Sequence, residues 1–86
     1  MFKVILHRKA INEIRSLQDK DRERVLGAIK NMELNPFSGD VKPIRTLRGV
    51  FRKRVGNYRI AFVINFEASE VVVLKIGKRE KFYEEL

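Results

Sequence analysis

The chain has 86 residues, a net charge of +8 and no cysteine. We expect a single domain over residues 1–86, because this length supports only one hydrophobic core. The lack of cysteine excludes a disulfide scaffold and a cysteine-based metal site. The excess of lysine and arginine indicates an anionic partner, and composition leaves open whether it is nucleic acid, an acidic protein or anionic lipid.

No segment of the sequence has the pattern of a signal peptide or a membrane span. Charged residues appear within the first ten positions, and the most apolar run, IAFVINF at 60–66, is much too short to cross a bilayer. The sequence therefore predicts a soluble, cytoplasmic protein without a membrane partner.

The first half of the chain predicts a strand and a hairpin of two helices. The β-branched run FKVIL at 2–6 is typical of a strand, and apolar residues recur at helical spacing in RKAINEIRSL at 8–17. Asp19 fits the N-cap of a second helix, which Asn35-Pro36 ends. The apolar side of that helix carries Val25, Leu26, Ile29 and Met32. The charges of the helices are expected to form a solvated face with ion pairs: Arg15, Asp19, Lys20, Asp21, Arg22, Glu23 and Arg24.

The second half predicts three strands, Leu47 to Val55, Tyr58 to Phe66 and Val71 to Ile76, after a loop at 37–43. Short turns make neighbouring strands antiparallel, so these three form a meander to which the first strand adds. The predicted fold is an α+β domain of order β-α-α-β-β-β. Its two-helix hairpin packs on one face of a small, mainly antiparallel four-stranded sheet.

The hairpin VFRKRVGNYRIAF at 50–62 is predicted to place three arginines on one face of the sheet. A type II′ turn at Gly56-Asn57 pairs Arg54 with Arg59 and puts Arg52 on the same side. We call the side of the sheet that carries these three residues the arginine face. Like charges directly across a strand pair cost roughly 0.2–1 kcal/mol. Because arginine binds phosphate oxygens in a bidentate manner, the cluster predicts an uncovered phosphate-binding surface.

The opposite side of the hairpin is predicted to pack on the helices, with Lys53 interrupting it and extending to its edge. Its apolar members are Phe51, Val55, Tyr58, Ile60 and Phe62.

The C-terminal segment GKREKFY at 77–83 adds cations and a tyrosine. Gly77 allows the last strand to bend and bring Arg79 toward the arginine face, and Tyr83 offers a phenol or an aromatic surface. Burial of Tyr83 against the edge of the core is an alternative. Further candidate nucleic-acid contacts are Arg45, Arg48, Lys53, Lys78 and Lys81.

With these segments the chain resembles the RelE/ParE toxin superfamily, and RelE-type messenger-RNA interferases most closely. The resemblance covers nearly the whole chain, and its most specific parts are LRG at 47–49, YRI at 58–60, and GKR at 77–79 followed by a tyrosine. It implies the toxin of a type II toxin–antitoxin pair, a ribosome-dependent endoribonuclease that cuts messenger RNA in the A site and inhibits translation. The implied partner that silences it is a RelB-like antitoxin with an acidic amphipathic helix.

The resemblance also implies roles for single residues. Arg52, Arg54 and Arg59 would stabilise the phosphate, Arg79 would assist the leaving group, and Tyr83 would stack on a base or accept a proton. The chain departs from the bacterial namesake of the family, which has lysines at the places of Arg52 and Arg54, and its spacer between Arg79 and Tyr83 is shorter. Since arginine stays protonated, neither of the first two can act as general base.

RNA carries its own nucleophile, the 2′-hydroxyl, so this cleavage needs alignment, proton transfer and charge neutralisation but no metal or other cofactor. We interpret His7, at the end of the first predicted strand, as a structural or surface residue. Tyr83 is therefore the candidate base or base-orienting group, because nearby arginines would favour its anion.

Three other functions stay open. One is a ParE-like toxin of the same fold that poisons DNA gyrase and has no nuclease activity; the full set of arginines with Tyr83 argues against it. The others are a non-catalytic module that binds RNA or DNA, and a degenerate toxin that folds and binds antitoxin without cutting.

Overall fold

The computed structural model describes residues 1–84, which form five strands and three helices. In chain order they are β1 (Lys3–Leu6), α1 (Arg8–Arg15), α2 (Asp19–Asn31), β2 (Asp40–Pro43), β3 (Phe51–Val55), β4 (Tyr58–Asn65), β5 (Glu70–Lys78) and α3 (Arg79–Glu84). The strands form one sheet in the order β1-β5-β4-β3-β2. β1 is parallel to β5, and the other neighbours are antiparallel. The predicted α+β fold, with helices packed on a mainly antiparallel sheet, is confirmed.

The sheet differs from the prediction in its number of strands. The segment predicted as a loop contains β2, which pairs with β3 and makes a fifth strand at the edge of the sheet. Pro43 ends this strand, a position where its missing N–H breaks no interior ladder. The next strand starts at Phe51 instead of Leu47, because residues 44–50 form a loop that is closed by a 2.9 Å hydrogen bond from the Ile44 N–H to the Val50 carbonyl.

The helices start close to the predicted positions, whereas α2 ends at Asn31, four residues before the predicted break at Asn35-Pro36. His7 caps α1, since its Nδ1 accepts a hydrogen bond from the Lys9 N–H at 3.1 Å. The structural interpretation of His7 is therefore confirmed. The N-cap of α2 is Gln18, so the assignment of the cap to Asp19 is wrong by one residue. Asp19 and Asp21 lie in the first turn of α2, where their negative charges interact favourably with the positive end of the helix dipole.

Arg22 connects the two helices. Its guanidinium donates hydrogen bonds to the carbonyl oxygens of Ile14 (3.3 Å), Arg15 (3.2 Å) and Leu17 (2.5 Å). It also donates to Asp19 at 2.9 Å. The Ile14 carbonyl also accepts from the Leu17 N–H at 3.1 Å, and the bonds from Arg22 add donors to the carbonyl groups at the end of α1 and in the connection that follows it. Arg22 is thus a structural cap for α1, and only part of the charge on the helices forms the predicted solvated face.

The core lies between the helix hairpin and one face of the sheet. The buried stripe is Val25 and Ile29 in α2 and Met32 directly after it. Leu26, predicted on that side, is 41% exposed. Leu26 lies about 100° around the helix from Val25, which turns it away from the sheet. The sheet contributes residues from β4 and β5: Tyr58, Ile60, Phe62, Val71, Val73 and Ile76.

A row of phenylalanine rings runs from β1 across this side of the molecule. Phe2 contacts Phe66 (centroids 6.4 Å apart), Phe66 contacts Phe37 (6.5 Å), Phe37 contacts Phe51 (5.3 Å) and Phe51 contacts Phe62 (5.8 Å). Phe66 is 64% exposed and Phe37 44% exposed. Exposed apolar patches of this kind are typical of protein–protein contact surfaces.

Candidate nucleic-acid interface

The β3–β4 hairpin has the register predicted from the sequence. Arg54 pairs with Arg59 and Arg52 pairs with Ala61, so the three arginines share the face of the sheet opposite the helix hairpin. Gly56 has φ of 58°, in the left-handed region, and Asn57 does not adopt a positive φ. This combination identifies the predicted type II′ turn.

The edge strand β2 adds two charged side chains to this face. Asp40 pairs with Arg54, and Lys42 pairs with Arg52. Residues directly opposite each other in an antiparallel pair lie on the same face. Neither was predicted from the sequence, where this segment has the pattern of a loop. Alternating charged and apolar residues ahead of a proline are nevertheless compatible with an edge strand.

Asp40 forms ion pairs with two of the arginines. The Arg52 Nη1 donates to Asp40 Oδ1 at 3.0 Å and to the Asp40 carbonyl oxygen at 3.2 Å. The Arg54 Nη1 lies 3.9 Å from the other carboxylate oxygen. The hydrogen bond from Arg52, together with the charges of Arg52, Lys42 and Arg54, lowers the pKa of Asp40. Asp40 is therefore a carboxylate at neutral pH.

The two arginines differ in their access to solvent. The side chain of Arg52 is 14% exposed and that of Arg54 is 57% exposed. Arg52 is held by two hydrogen bonds, whereas the contact of Arg54 with Asp40 is too long for a hydrogen bond. Arg54 is consequently the arginine of this pair that is able to reach an external anion.

Helix α3 covers the part of the arginine face formed by β4 and β5. Phe82 is fully buried, and a Cβ built on Gly77 would lie 3.3 Å from the Cα and Cβ of Phe82. Gly77 pairs with Arg59, which is only 7% exposed. The Arg59 guanidinium donates to the carbonyl oxygens of Gly56 (3.2 Å) and Tyr58 (3.1 Å). The expectation of a fully uncovered arginine face is thus wrong at this end.

Arg79 and Tyr83 both lie on α3. The Arg79 N–H donates to the Asn57 carbonyl at 2.9 Å, so α3 begins beside the turn that separates Arg54 from Arg59. Tyr83 is 47% exposed, and its ring contacts Phe82 edge-on with 5.0 Å between centroids. Side chains four residues apart lie on one side of a helix, so the short spacer puts Arg79 and Tyr83 on the same side of α3.

Lys53 lies on the opposite side of the hairpin from the arginine face. It is 5% exposed, and its Nζ donates to Ser38 Oγ at 3.4 Å. Burial lowers the pKa of the Lys53 ammonium. The ammonium ends beside Ser38, in the loop before β2. Burial of the side chain gives no support to a nucleic-acid contact, and we leave Lys53 out of the candidate interface.

Replacing Lys53 with methionine should raise the free energy of unfolding at pH 7 by about 1 kcal/mol, because a buried charge and a long hydrogen bond are replaced by apolar packing. A lowered pKa means that the cost of the charge is present at neutral pH and disappears as the pH rises to 10.5, the ordinary value for lysine. The advantage of the variant in urea unfolding should therefore shrink at alkaline pH. Lys42→Met removes the same charge from an exposed position and should bring no gain; a less stable Lys53→Met protein at pH 7 would contradict this account.

Lys78 and Lys81 line a cleft of about 680 Å³ on the helix side of the sheet, between the α1–α2 connection and the end of β5. Two polar side chains in this cleft, Tyr58 and Glu13, already have partners. The Tyr58 hydroxyl donates to Asp21 at 3.0 Å, and Glu13 accepts from the Ile76 N–H at 2.8 Å. Burial, and then the hydrogen bond to Asp21, raise the pKa of Tyr58.

Lys78 and Lys81 also line a second cleft, of about 500 Å³, that includes Asn57 and Arg79. The remaining two candidates lie away from the arginine face. Arg45 and Arg48 are exposed in the loop that precedes β3, at the other end of that strand from the Gly56-Asn57 turn. The structure therefore brings together Arg52, Arg54 and Arg59, and starts α3 next to them. Within residues 1–84 no group of histidine and carboxylate side chains is arranged to hold a metal ion, and no helix there is long and apolar enough to cross a membrane.

The chain matches the family model described as the ParE toxin of the type II toxin–antitoxin system parDE over residues 4–83. It is 25% identical over 85 residues to the curated protein "Putative toxin RelE1" of Methanocaldococcus jannaschii, covering 95% of this chain and 94% of that protein. Among solved structures it resembles the RelBE2 toxin–antitoxin complex of Mycobacterium tuberculosis, with 26% identity, a TM-score of 0.82, and 91% of this chain and 98% of that chain covered. The RelE–RelB complex of Pyrococcus horikoshii OT3 shares the fold, with 22% identity, a TM-score of 0.79, and 93% and 97% covered.

Proposed function

The chain belongs to the ParE toxin family of type II toxin–antitoxin systems, within the RelE/ParE superfamily, and we propose that it is a cytoplasmic, ribosome-dependent endoribonuclease that cleaves messenger RNA in the A site. The observation that carries the proposal is the convergence of Arg52, Arg54 and Arg59 on one face, with α3 beginning beside their turn. Arg54 is the guanidinium of the three that is open to solvent, and a guanidinium suits the phosphodiester of a single strand.

In the proposed reaction the 2′-hydroxyl of the message attacks the adjacent phosphorus while the bond from phosphorus to the 5′ oxygen breaks. The products are a 2′,3′-cyclic phosphate and a 5′-hydroxyl end. Arg54 stabilises the negative charge that builds on the phosphate, since it is the most accessible of the three arginines on the sheet. Arg52 and Arg59, held by their own hydrogen bonds, add positive potential behind it.

Helix α3 supplies the groups that act on the attacking and leaving oxygens in this mechanism. Tyr83 removes the proton from the 2′-hydroxyl or orients the group that does so. Arg79 stabilises the leaving 5′ oxygen, which takes up a proton from water because an arginine does not give up its own. Both side chains are exposed, and Phe82 anchors the helix that carries them. The ribosome holds the message in the aligned conformation, which an isolated RNA strand rarely adopts.

Tyr83→Phe should lower the cleavage rate about 10²- to 10⁴-fold, the usual contribution of a general acid or base, and leave ribosome binding unchanged. The phenylalanine ring keeps the edge-on contact with Phe82, so α3 should stay in place. Cleavage is measured by primer extension and ribosome binding by co-sedimentation. Tyr58→Phe is the matched control, because its hydroxyl bonds Asp21 away from the arginine face and should leave cleavage intact. Equal losses of binding and cleavage in Tyr83→Phe would reject the assignment.

The proposed partner that silences the toxin is a RelB-like antitoxin with an acidic amphipathic helix. A net charge of +8 favours an acidic chain, and the exposed rings of Phe37 and Phe66 offer an apolar surface to a protein. The similar complexes from Mycobacterium tuberculosis and Pyrococcus horikoshii each contain such a toxin with its antitoxin.

A ParE-like toxin that poisons DNA gyrase is the second candidate, favoured by the name of the matching family. Adding the purified protein to programmed ribosomes, and in parallel to a gyrase supercoiling assay, separates the two. We expect new message ends within the A-site codon by primer extension and unchanged supercoiling. Inhibited gyrase with an intact message would instead support the ParE-like function. Salt-sensitive RNA binding with neither effect would indicate a non-catalytic module or a degenerate toxin.

A further inference from the structure

Asp40 lies within the cationic surface that the proposed function assigns to the RNA backbone. It faces Arg54 across the β2–β3 ladder and its carboxylate contacts both Arg52 and Arg54. The carboxylate is 43% exposed, so it lies at the surface that a phosphate would approach. A carboxylate offers the same paired oxygen acceptors to arginine as a phosphate does.

The two contacts of Asp40 have different strengths. Arg52 donates to both a side-chain oxygen and the main-chain oxygen of Asp40, and the main-chain contact does not depend on the carboxylate charge. Arg54 contacts the carboxylate alone, at 3.9 Å. An incoming anion therefore displaces Asp40 from Arg54 more easily than from Arg52.

We propose that Asp40 acts as an internal competitor of phosphate for Arg54, which weakens binding of the free protein to single-stranded RNA that is not held in place. This inference rests on the proposed function, because it takes the competing anion to be an RNA phosphodiester. A tethered competitor acts at an effective concentration on the order of mM, which dilute, unaligned phosphates do not match. A message fixed by the ribosome presents its phosphate at a comparable local concentration. Asp40 thus limits trapping of this basic protein on other nucleic acids.

Fluorescence anisotropy with a short, fully 2′-O-methylated RNA oligonucleotide tests this competition, because such an RNA cannot be cut by 2′-hydroxyl attack. Asp40→Asn should tighten binding about two- to five-fold at low salt, the range expected for one exposed ion pair. It should also steepen the dependence of log K on log salt concentration by about 0.7, as one more phosphate becomes neutralised. The asparagine still accepts from Arg52, so we expect the fold to persist. If the Asp40→Asn protein does not fold, Asp40→Ser is used for the same measurement.

Two controls decide whether the effect is local. Glu67→Gln makes the same change in net charge in the turn after β4 and should leave the affinity almost unchanged. In an Arg54→Ala background, Asp40→Asn should bring no gain, because the residue on which it acts is absent. Equal gains in both backgrounds, or an equal gain from Glu67→Gln, would overturn the inference while leaving the nuclease proposal standing. No binding of the oligonucleotide by any of these proteins at low salt would overturn both.

Discussion

Replacing Arg54 with alanine should slow cleavage of ribosome-bound message about 10²- to 10³-fold, the loss seen when one donor to a developing oxyanion is removed. The melting temperature should hardly change, because the side chain is 57% exposed and its ion pair with Asp40 spans 3.9 Å. Single-turnover cleavage on programmed ribosomes and a thermal unfolding curve measure the two effects separately.

Arg45→Ala provides the matched control for this prediction. Arg45 is an exposed arginine in the loop at 44–50, and its removal lowers the net charge equally. It should cause only a small loss of cleavage. Wild-type cleavage by the Arg54 variant, or the same large loss in both variants, would contradict a direct role for Arg54. Arg59→Ala is less informative, because Arg59 is 7% exposed and bonded to two carbonyl oxygens, so its loss also affects the turn.

Phe82→Ala should detach α3 from the sheet and reduce cleavage at least as strongly as Tyr83→Phe. Truncating a fully buried phenylalanine costs about 3–5 kcal/mol, and a helix of this length is not stable by itself in water. Because α3 is the last element described and lies on the surface of the sheet, we expect local release and not global unfolding. Hydrogen exchange should show lost protection of the Arg79 amide, which bonds the Asn57 carbonyl, and of the last amides of α3, with β4 and β5 still protected.

Phe66→Ala is the control for the loss of a phenyl ring. Phe66 is 64% exposed at the far end of β4 from the hairpin turn, and its truncation should leave cleavage and the protection of α3 unchanged. Normal cleavage by a Phe82→Ala protein with an unprotected α3 would show that Arg79 and Tyr83 need no fixed position. The mechanism assigned to α3 would then be wrong.

The hairpin register could be predicted from the sequence because local rules determine it. A two-residue turn fixes which residues pair, and the alternation of side chains then puts Arg52, Arg54 and Arg59 on one face. The helix hairpin could be predicted for the same reason, since apolar spacing and the break at Asn35-Pro36 are local signals.

The features that the sequence analysis missed depend on contacts between distant segments. β2 has four residues and one apolar side chain, and its pairing with β3 makes it a strand. Helix α3 is held by Phe82 packing against the glycine at position 77, a contact that no periodicity in GKREKFY reveals. The ion pairs of Asp40 and the burial of Arg59 both follow from these two elements, so neither could be foreseen.

The nature of the nucleophile provides the most direct test of the proposed function. A message carrying a single 2′-deoxynucleotide at the A-site position that is cut, and a matched all-ribose message, are each incubated with programmed ribosomes and the wild-type protein. We predict that the ribose message is cut to a 2′,3′-cyclic phosphate and a 5′-hydroxyl end, and that the deoxy-substituted message stays intact at that position. Cleavage of both messages at the same rate, or of neither, would contradict the account.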